Sequence, residues 1–280
     1  MVQGRQALQK GGEHRRHKIS IFQSICLGVV QGLTEFLPIS SSGHLVFFQS
    51  LFGLKEPPIF FDVMLHIGTL LSVVVYFRRD ILGITKGVVS TLRRKEENRK
   101  EAKLFLWIIL ASIPTGLMGL FFKDWFESFF SKPKLVGGML VLTGLILWLT
   151  RWAKKEGKPI GRMRWFDAIL IGIAQGVAII PGISRSGATI STGLFSGLDR
   201  ELSGKFSFLL SIPAILGATL LEFKGFDTAS GWGTALIGAA VAFGVGILAL
   251  TPLIRIIKMG KMFNFSYYCC GMGIVMIILV

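Results

Sequence analysis

Two short polar segments interrupt an otherwise apolar chain and carry the residue types that could act on a phosphate group. The first, residues 35–44, reads EFLPISSSGH and holds a carboxylate, three hydroxyls and an imidazole. The second, residues 181–189, reads PGISRSGAT and holds one arginine among glycines and hydroxyls. Proton-transfer groups in one segment and a permanently charged guanidinium in the other are suited together to phosphoryl chemistry.

The second segment has the composition of an anion-binding turn. Glycines and hydroxyls ahead of a helix start let backbone amides converge on an anion at the positive end of that helix. Arg185 adds a planar fork of donors that matches phosphate oxygens. The structural alternative has Ser184 and Ser186 capping the helix and Arg185 paired with a carboxylate. The surrounding residues are apolar enough to lie in a membrane, where an arginine costs at least about 2.5 kcal/mol, so we favour the phosphate-binding interpretation.

The first segment could supply an acid, a base and a nucleophile. Glu35 and His44 carry protons, and the Ser41 hydroxyl lies between them in the chain. Burial disfavours the charged forms, so we expect a raised pKa for Glu35 and a lowered pKa for His44. Each residue alone could be a hydrogen-bonded core residue, but their co-occurrence favours a reactive site. Asp62 and His66 form a weaker pair one turn apart, and a structural polar contact explains that pair equally well.

An internal repeat places the two segments at equivalent positions. Shifting the chain by 144 residues without gaps aligns residues 28–45 with 172–189, and seven of the eighteen positions are identical. Chance gives roughly one identity at background frequencies. The identical pairs are Gly28/Gly172, Gln31/Gln175, Gly32/Gly176, Ile39/Ile183, Ser40/Ser184, Ser42/Ser186 and Gly43/Gly187. Where the first copy has Glu35, Ser41 and His44, the second has Ile179, Arg185 and Ala188. This divergence indicates one composite site to which the two copies contribute different groups.

The composition is that of a membrane protein. Of the 280 residues, 51% are hydrophobic and 17% are charged, and the mean hydropathy is +0.62; a soluble domain has about 25% charged residues. The 31 basic and 16 acidic residues give a net charge of +15. We assign this excess to cytoplasmic loops, which are rich in Lys and Arg, and expect no nucleic acid as a partner. The three cysteines lie in apolar runs and are too few for a disulfide framework or a four-cysteine zinc site.

We expect an all-α polytopic membrane protein with two inverted-topology repeats, each a re-entrant helical hairpin plus three transmembrane helices. Runs interrupted by Pro, Gly and Ser are interpreted as broken helices, because non-helical backbone persists at membrane depth only where it lines a cavity. The expected boundaries are a polar N-terminal segment at 1–18; repeat 1 at 19–150, with hairpin 19–53 and helices 60–77, 104–122 and 135–150; a basic cytoplasmic linker at 151–164; and repeat 2 at 165–280, with hairpin 165–200 and helices 206–222, 231–254 and 264–280.

The charge distribution gives an expected topology. Basic residues crowd the connections 78–103, 151–164 and 255–261, which we expect to be cytoplasmic. The last two share a side only if the broken run 166–183 turns back instead of crossing, which favours six spans and two hairpins over eight full spans. That arrangement places both termini outside, against the basic character of residues 5–18. The side of the N-terminus therefore stays open, and no secretory signal is evident.

The two segments resemble the signatures of the undecaprenyl-diphosphate phosphatases, also called bacitracin-resistance proteins. One signature, Glu/Gln-x-x-x-Glu leading into Pro-x-Ser-Ser-Ser/Thr-Gly-His, corresponds to Gln31 through His44. The other, Pro-Gly-x-Ser-Arg-Ser-x-x-Thr, corresponds to Pro181 through Thr189. Length and hydropathy also agree over residues 19–280. Two long motifs in the right order on an apolar chain make the resemblance specific.

This resemblance implies an integral membrane hydrolase that converts undecaprenyl diphosphate to undecaprenyl phosphate and inorganic phosphate, recycles the lipid carrier for peptidoglycan synthesis and confers bacitracin resistance. By motif position, the implied catalytic residues are Glu35, Ser41, His44 and Arg185. The implied substrate-binding residues are Gln31, Ser40, Ser42, Gly182, Ser184, Ser186, Gly187 and Thr189. The implied partners are a polyprenyl diphosphate and the lipid bilayer, with homodimer formation left open. The implied location is the bacterial cytoplasmic (inner) membrane, with the active site facing the outer side.

The family is also linked with a divalent cation, Mg²⁺ or Ca²⁺, for which Glu35 would be the protein ligand. This chain has Gln31 at the first position of the Glu/Gln-x-x-x-Glu motif, so the motif supplies a single carboxylate. A mechanism in which two carboxylates hold the metal is therefore disfavoured. We expect the cation to be bound mainly by substrate oxygens and water, with one protein carboxylate.

The expected mechanism begins with attack of Ser41 on the terminal phosphorus, while Glu35 or His44 takes its proton. Arg185, the amides of the second segment and the metal neutralise charge on the phosphate oxygens. His44 or water as the nucleophile remain alternatives. A function of another class, a secondary transporter or lipid flippase, is also compatible with inverted repeats and broken helices. The nucleophile beside a base favours hydrolysis, and an inert scaffold would leave the intramembrane Arg and Glu unexplained.

Overall fold

The computed structural model describes residues 19–54, 59–93, 99–154, 156–222 and 231–279. The predicted polar segment 1–18 lies outside the described residues, as do parts of the basic connections, among them Arg94, Lys95 and Lys155. The α-helices are α1 (Ile21–Thr34), α2 (Ser41–Leu51), α3 (Ile59–Tyr76), α4 (Arg78–Leu92), α5 (Arg99–Phe121), α6 (Lys123–Phe130), α7 (Pro133–Leu149), α8 (Trp165–Val177), α9 (Arg185–Phe195), α10 (Arg200–Glu222), α11 (Trp232–Lys258) and α12 (Phe265–Leu279). Short 3₁₀ turns lie at Thr150–Trp152, Ile160–Arg162 and Met262–Asn264.

Six of these helices are long and apolar enough to cross a membrane, namely α3, α5, α7, α10, α11 and α12 with their flanking turns. Within the described ranges no β-strand occurs, so the expected all-α polytopic membrane class is confirmed. The structure adds two helices to stretches predicted as connections. Amphipathic α4 occupies most of the first basic connection, and the short aromatic α6 joins α5 to α7.

The two runs predicted as broken helices are each interrupted in the structure. Helices α1 and α8 have 14 and 13 residues, so each is roughly 20 Å long at 1.5 Å per residue, too short for a hydrocarbon core of about 30 Å. The first break contains Pro38, which cannot donate a backbone hydrogen bond, and Ser40, whose φ is 68°. The second contains Pro181 and Gly182, whose φ is 94°. Backbone with positive φ cannot continue a right-handed helix, so both runs turn here.

Each broken helix packs against a long helix of the other half of the chain. Helix α1 lies on α11, where a Cβ added to Gly28 would stand 2.7 Å from the carbonyl oxygen of Gly238. Helix α8 lies on α5, where a Cβ added to Gly172 would collide with the carbonyl oxygen of Ala111. Gly28 and Gly172 are equivalent in the 144-residue repeat. The repeated glycines therefore serve the same purpose twice, which is close approach of two helix backbones.

Helices α7 and α12 form another close pair between the halves. A Cβ on Gly137 would lie 2.8 Å from the carbonyl oxygen of Gly273, and a Cβ on Gly273 would lie 2.6 Å from that of Gly137. This reciprocal contact leaves no room for side chains at the crossing. The α7–α12 pair is consequently a rigid support, and it lies beside both breaks.

Substitution of Gly172 by alanine is expected to destabilise the protein by about 1–3 kcal/mol, because the new methyl group meets backbone that can yield only if α5 moves away. The matched control is Gly116→Ala on α5 itself, an exposed position where an added Cβ finds nothing within 4 Å. Thermal unfolding of both variants in detergent checks the difference. Equal melting temperatures for the two variants would show that this helix contact does not contribute to stability.

Candidate active site

The two breaks lie against each other, as the repeat predicts. Ser186 in the second segment donates a hydrogen bond from Oγ to the carbonyl oxygen of Leu37 in the first, at 3.3 Å. A Cβ on Gly187 would lie 3.4 Å from Cβ of Pro38, and a Cβ on Gly43 would lie 3.4 Å from Cα of Gly182. Polar groups from the two copies of the repeat are thus brought into one site.

Glu35 is the centre of this site. Its Oε1 accepts a hydrogen bond from Nη2 of Arg185 at 2.7 Å, so that the acid of the first copy pairs with the cation of the second. Its Oε2 accepts from Oγ of Ser41 at 2.6 Å and from Nε2 of Gln31 at 3.1 Å. The pair is well shielded, with 6% of the Glu35 side chain and 16% of the Arg185 side chain exposed. Its neighbour Phe36 is fully buried and packs edge-on against Phe208 of α10, which anchors the first break.

The electrostatics of Glu35 differ from the expectation. Glu35 lies between helices, outside the six long apolar ones, and burial by itself would raise the pKa of its carboxyl. The Arg185 guanidinium, with His66 and the hydrogen bond from Ser41, outweighs burial and holds the pKa of Glu35 below its ordinary value. The predicted rise was therefore wrong, because the sequence did not reveal how directly the arginine faces this acid. Glu35 is ionised at neutral pH and can accept a proton from Ser41.

His44 occupies a pocket of its own beside Ser41. The ring is 2% exposed, with Nδ1 at 2.7 Å from the carbonyl oxygen of Ser40 and Nε2 at 2.7 Å from the Tyr268 hydroxyl. Burial lowers the pKa of His44, as expected, although hydrogen bonds to backbone of the preceding turn act in the opposite sense. Both ring nitrogens are thus engaged, and Glu35 is the hydrogen-bond partner of the Ser41 hydroxyl.

Serine pairs cap the helices that follow the two breaks in matching ways. Ser40 Oγ accepts from the Gly43 amide at 3.2 Å and lies 3.3 Å from Ser42 Oγ. In the second copy, Ser184 Oγ accepts from the Gly187 amide at 3.1 Å and lies 3.3 Å from Ser186 Oγ. The structural alternative is thus realised in part: Ser184 caps α9 and Arg185 pairs with the Glu35 carboxylate, whereas Ser186 donates to the Leu37 carbonyl instead of capping. Ser40 caps α2 in the same way as Ser184 caps α9. The N-termini of α2 and α9, where anions are favoured, face the same site.

The remaining predicted site residues hold the second break in place. The Gly182 carbonyl accepts from Thr143 Oγ1 of α7 at 2.9 Å, and the Ser184 amide donates to the same hydroxyl oxygen at 3.0 Å. Thr189 Oγ1 donates to the Arg185 carbonyl at 2.8 Å and lies 2.6 Å from Ser207 Oγ of α10. The geometry therefore gives Gly182 and Thr189 clear roles in shaping the loop.

Sequence reasoning missed two residues near the site, Ser207 and Tyr268, and gave too little weight to a third, His66. His66, which the sequence left as an ambiguous partner of Asp62, places Nε2 at 3.8 Å from Glu35 Oε2, while its Nδ1 donates to the Asp62 carbonyl at 2.8 Å. Ser207 contacts Thr189, and Tyr268 contacts His44. An ionisable residue within an apolar span was a usable signal for His66. The hydroxyls of Ser207 and Tyr268 carried none, since both residue types are common in such helices.

Comparison with known protein families identifies the family of this chain. The family model described as bacitracin resistance protein BacA matches residues 24–275, which include both breaks and five complete spans. The chain belongs to the BacA family. The paired breaks, the Glu35–Arg185 contact and the Ser41 hydroxyl are thus features of a BacA protein, and the resemblance of the two motifs to bacitracin-resistance proteins is confirmed.

Three curated relatives of this BacA protein share the name undecaprenyl-diphosphatase. The undecaprenyl-diphosphatase of Desulforapulum autotrophicum is 45% identical over 275 residues, covering 93% of this chain and 98% of that protein. The undecaprenyl-diphosphatase of Desulfosudis oleivorans is 47% identical over 263 residues, covering 90% and 95%. That of Alkaliphilus metalliredigens is 46% identical over 271 residues, covering 93% and 98%. The similarity thus extends over nearly the full length of each protein.

Proposed function

We propose that this BacA protein hydrolyses undecaprenyl diphosphate to undecaprenyl phosphate and inorganic phosphate. The name of its relatives supports the reaction, and near-complete coverage supports carrying that activity to this chain. The observation that carries the proposal is a row of three side chains linked by hydrogen bonds, Ser41, Glu35 and Arg185. A serine hydroxyl donates to a carboxylate at 2.6 Å, and the same carboxylate pairs with an arginine at 2.7 Å across the two breaks. This row combines a nucleophile, its base and an anion-binding cation.

The chemistry assigned to the residues follows from these contacts. Ser41 Oγ attacks the terminal phosphorus and passes its proton to Glu35 Oε2, which already accepts that hydrogen bond. The bond from that phosphorus to the bridging oxygen breaks, and undecaprenyl phosphate leaves with the proton that Glu35 returns to it. Arg185 donates from Nη2 to Glu35 and from Nη1 to the Ser207 carbonyl at 3.5 Å, and its remaining N–H groups would bind the phosphate oxygens. Ser40, Ser42, Ser184 and Ser186 and the first-turn amides of α2 and α9 surround the diphosphate. Water then attacks the phosphoserine, Glu35 takes the proton of the water and gives it to Ser41 Oγ as the P–Oγ bond breaks, and inorganic phosphate leaves.

His44 has a supporting part in this proposal. Its two ring nitrogens are occupied by Ser40 and Tyr268, so it is not the base that faces Ser41. Attack by His44 would require the Tyr268 hydrogen bond to break first. The geometry thus favours Ser41 as nucleophile and Glu35 as base.

The donor set fits a divalent cation bound together with the substrate. The described residues contain no group of three or more His, Cys, Asp and Glu that could hold a metal ion by themselves. Gln31 Oε1, however, is buried without a hydrogen-bond partner on the residue that donates to Glu35, and carbonyl and carboxylate oxygens suit Mg²⁺ and Ca²⁺. We propose that Glu35 and Gln31 Oε1 would contact such a cation while phosphate oxygens and water complete its shell. The cation would screen negative charge on the diphosphate.

The proposed arrangement in the membrane is a pair of inverted repeats. The reciprocal packing of α1 on α11 and α8 on α5 supports a pseudo-two-fold relation between the halves. We propose that the breaks meet within the bilayer of the bacterial cytoplasmic membrane and that the site opens to the outer side. The basic connections then lie on the cytoplasmic face. Hydrolysis at this position would recycle the lipid carrier for peptidoglycan synthesis and underlie bacitracin resistance.

Phosphate release by purified protein in detergent tests the proposed reaction. With undecaprenyl diphosphate we expect one phosphate per substrate from the wild type, none from undecaprenyl phosphate, and strongly reduced release by Glu35→Ala and Arg185→Ala. Equal release by the wild type and both variants would refute the site. Transfer of the lipid between the leaflets of reconstituted vesicles, without phosphate release, would instead favour the transporter alternative.

A further inference from the structure

Tyr268 on the last helix is the contact of His44 that neither the motifs nor the family comparison assigns. Its hydroxyl lies 2.7 Å from His44 Nε2, and the two rings are stacked with centroids 5.6 Å apart and planes inclined by 7°. The stack fixes the plane of the imidazole, and the hydroxyl fixes its rotation within that plane. Tyr268 itself is half-exposed, so a residue at the edge of the site orients one that is buried inside it.

The hydrogen bonds determine which nitrogen of His44 carries the proton. The Ser40 carbonyl can only accept, so His44 Nδ1 donates to it at 2.7 Å. In the neutral ring Nε2 is then an acceptor, and the Tyr268 hydroxyl donates to it. The same Ser40 carbonyl accepts from the His44 amide at 3.2 Å, so the first turn of α2 holds it beside the ring. One tautomer of the neutral imidazole therefore satisfies all of its partners.

The helix that carries Tyr268 is held in place by its contacts with the first break and with α7. The next residue, Cys269, donates from Sγ to the Pro38 carbonyl at 3.6 Å, so α12 contacts the first break at two consecutive residues. Helix α12 is in turn locked to α7, and Thr143 of α7 holds the second break. The α7–α12 pair thus connects His44 to the loop that carries Arg185.

We propose that Tyr268 is a positioning residue that holds His44 in the Nδ1–H tautomer, with Nε2 turned away from Ser41. Ser41 and His44 lie one helical turn apart at the start of α2, on the same side of the helix. With Nε2 bound to Tyr268, the Ser41 hydroxyl is left to Glu35, and the first turn of α2 keeps the geometry that its hydroxyls need. Tyr268 acts through His44, and its effect on the rate rests on the proposed phosphatase function.

Tyr268→Phe is the sharpest test, because it removes one oxygen and keeps the stacked ring. We expect kcat to fall about five- to tenfold, the size of one hydrogen bond, with KM little changed. In a His44→Ala background the same substitution should change kcat by less than about twofold, since coupled residues are not additive. The matched control is Tyr267→Phe, because the neighbouring tyrosine on α12 is 67% exposed. It should retain wild-type kcat.

A spectroscopic readout separates this inference from the phosphatase assignment. In ¹⁵N-histidine NMR spectra, the signal of His44 Nε2 should shift on Tyr268→Phe and stay unchanged on Tyr267→Phe, with the resonance assigned by its loss in His44→Gln. An unchanged Nε2 signal, an unchanged kcat, or a full five- to tenfold loss in the His44→Ala background would each overturn the positioning role. If Tyr268→Phe shifts the Nε2 signal but the wild-type protein releases no phosphate, the contact is upheld and the proposed reaction is refuted.

Discussion

Replacing Arg185 with alanine is expected to lower phosphate release by about 10³-fold, within the range known for loss of a transition-state cation. Two physical effects contribute. The substitution removes donors from the phosphate oxygens, and it takes the arginine away from a carboxylate of which only 6% is exposed, leaving Glu35 with Ser41, Gln31 and the more distant His66. Loss of one partner of a buried ion pair destabilises a protein by about 3–5 kcal/mol, so activity and stability must be measured together.

A second substitution separates these two effects. In the double variant Arg185→Ala/Glu35→Gln the carboxylate charge is gone, so the melting temperature should return towards the wild-type value while activity stays low. Arg185→Lys keeps the charge but loses the planar fork, and an intermediate rate is expected. Arg162→Ala, at an exposed position in the basic linker, controls for the loss of one positive charge. Recovery of activity in the double variant would contradict both the binding of phosphate by Arg185 and the role of Glu35 as the base.

Ser41→Ala is expected to reduce activity by at least about 10³-fold and to abolish labelling of the protein by substrate carrying a labelled terminal phosphate. The reason is that the Ser41 hydroxyl is already bonded to its base, Glu35, at 2.6 Å. Rapid acid quench of the wild type followed by peptide mapping should locate the label on Ser41. Ser50→Ala, an exposed serine on the same helix α2, is the matched control and should retain full activity.

Two other results would contradict the serine mechanism. Label recovered on His44 would make the imidazole the nucleophile, which requires release of Tyr268. Wild-type turnover by Ser41→Ala without any labelled protein would indicate direct attack by water, with Glu35 as the general base. Each result also predicts a different response to Glu35→Gln, which removes the base but keeps the size of the side chain.

The sequence was most informative where chemistry and repetition coincide. The repeated motifs Gly-x-x-Gln-Gly and Ser-x-Ser-Gly located both breaks. The residues that differ between the copies, Glu35 and Arg185, predicted a composite site, and in the structure these two side chains lie 2.7 Å apart. Six apolar spans followed from hydropathy because length and charge decide membrane crossing. These predictions rest on local patterns that a single chain displays.

Contacts between distant parts of the chain could not be predicted in this way. Tyr268 lies 224 residues after His44, and nothing about its own surroundings in the sequence points to a histidine. The lowered pKa of Glu35 depends on the direction of one guanidinium. Helix α4 has mixed charged and apolar residues that look like a basic loop, and only its amphipathic packing makes it a helix. Such features require the assembled bundle.

The pairing of Glu35 with a partner 150 residues further along the chain also governs when the site comes into existence. A ribosome delivers Glu35 and Ser41 to the membrane long before it delivers Arg185, and Cys269, which contacts the first break, arrives last of all. A nascent chain therefore carries a serine and an acid but no complete phosphate site. The Glu35–Arg185 pair can form only after translation has passed Arg185, so a chain truncated before that residue lacks the composite site.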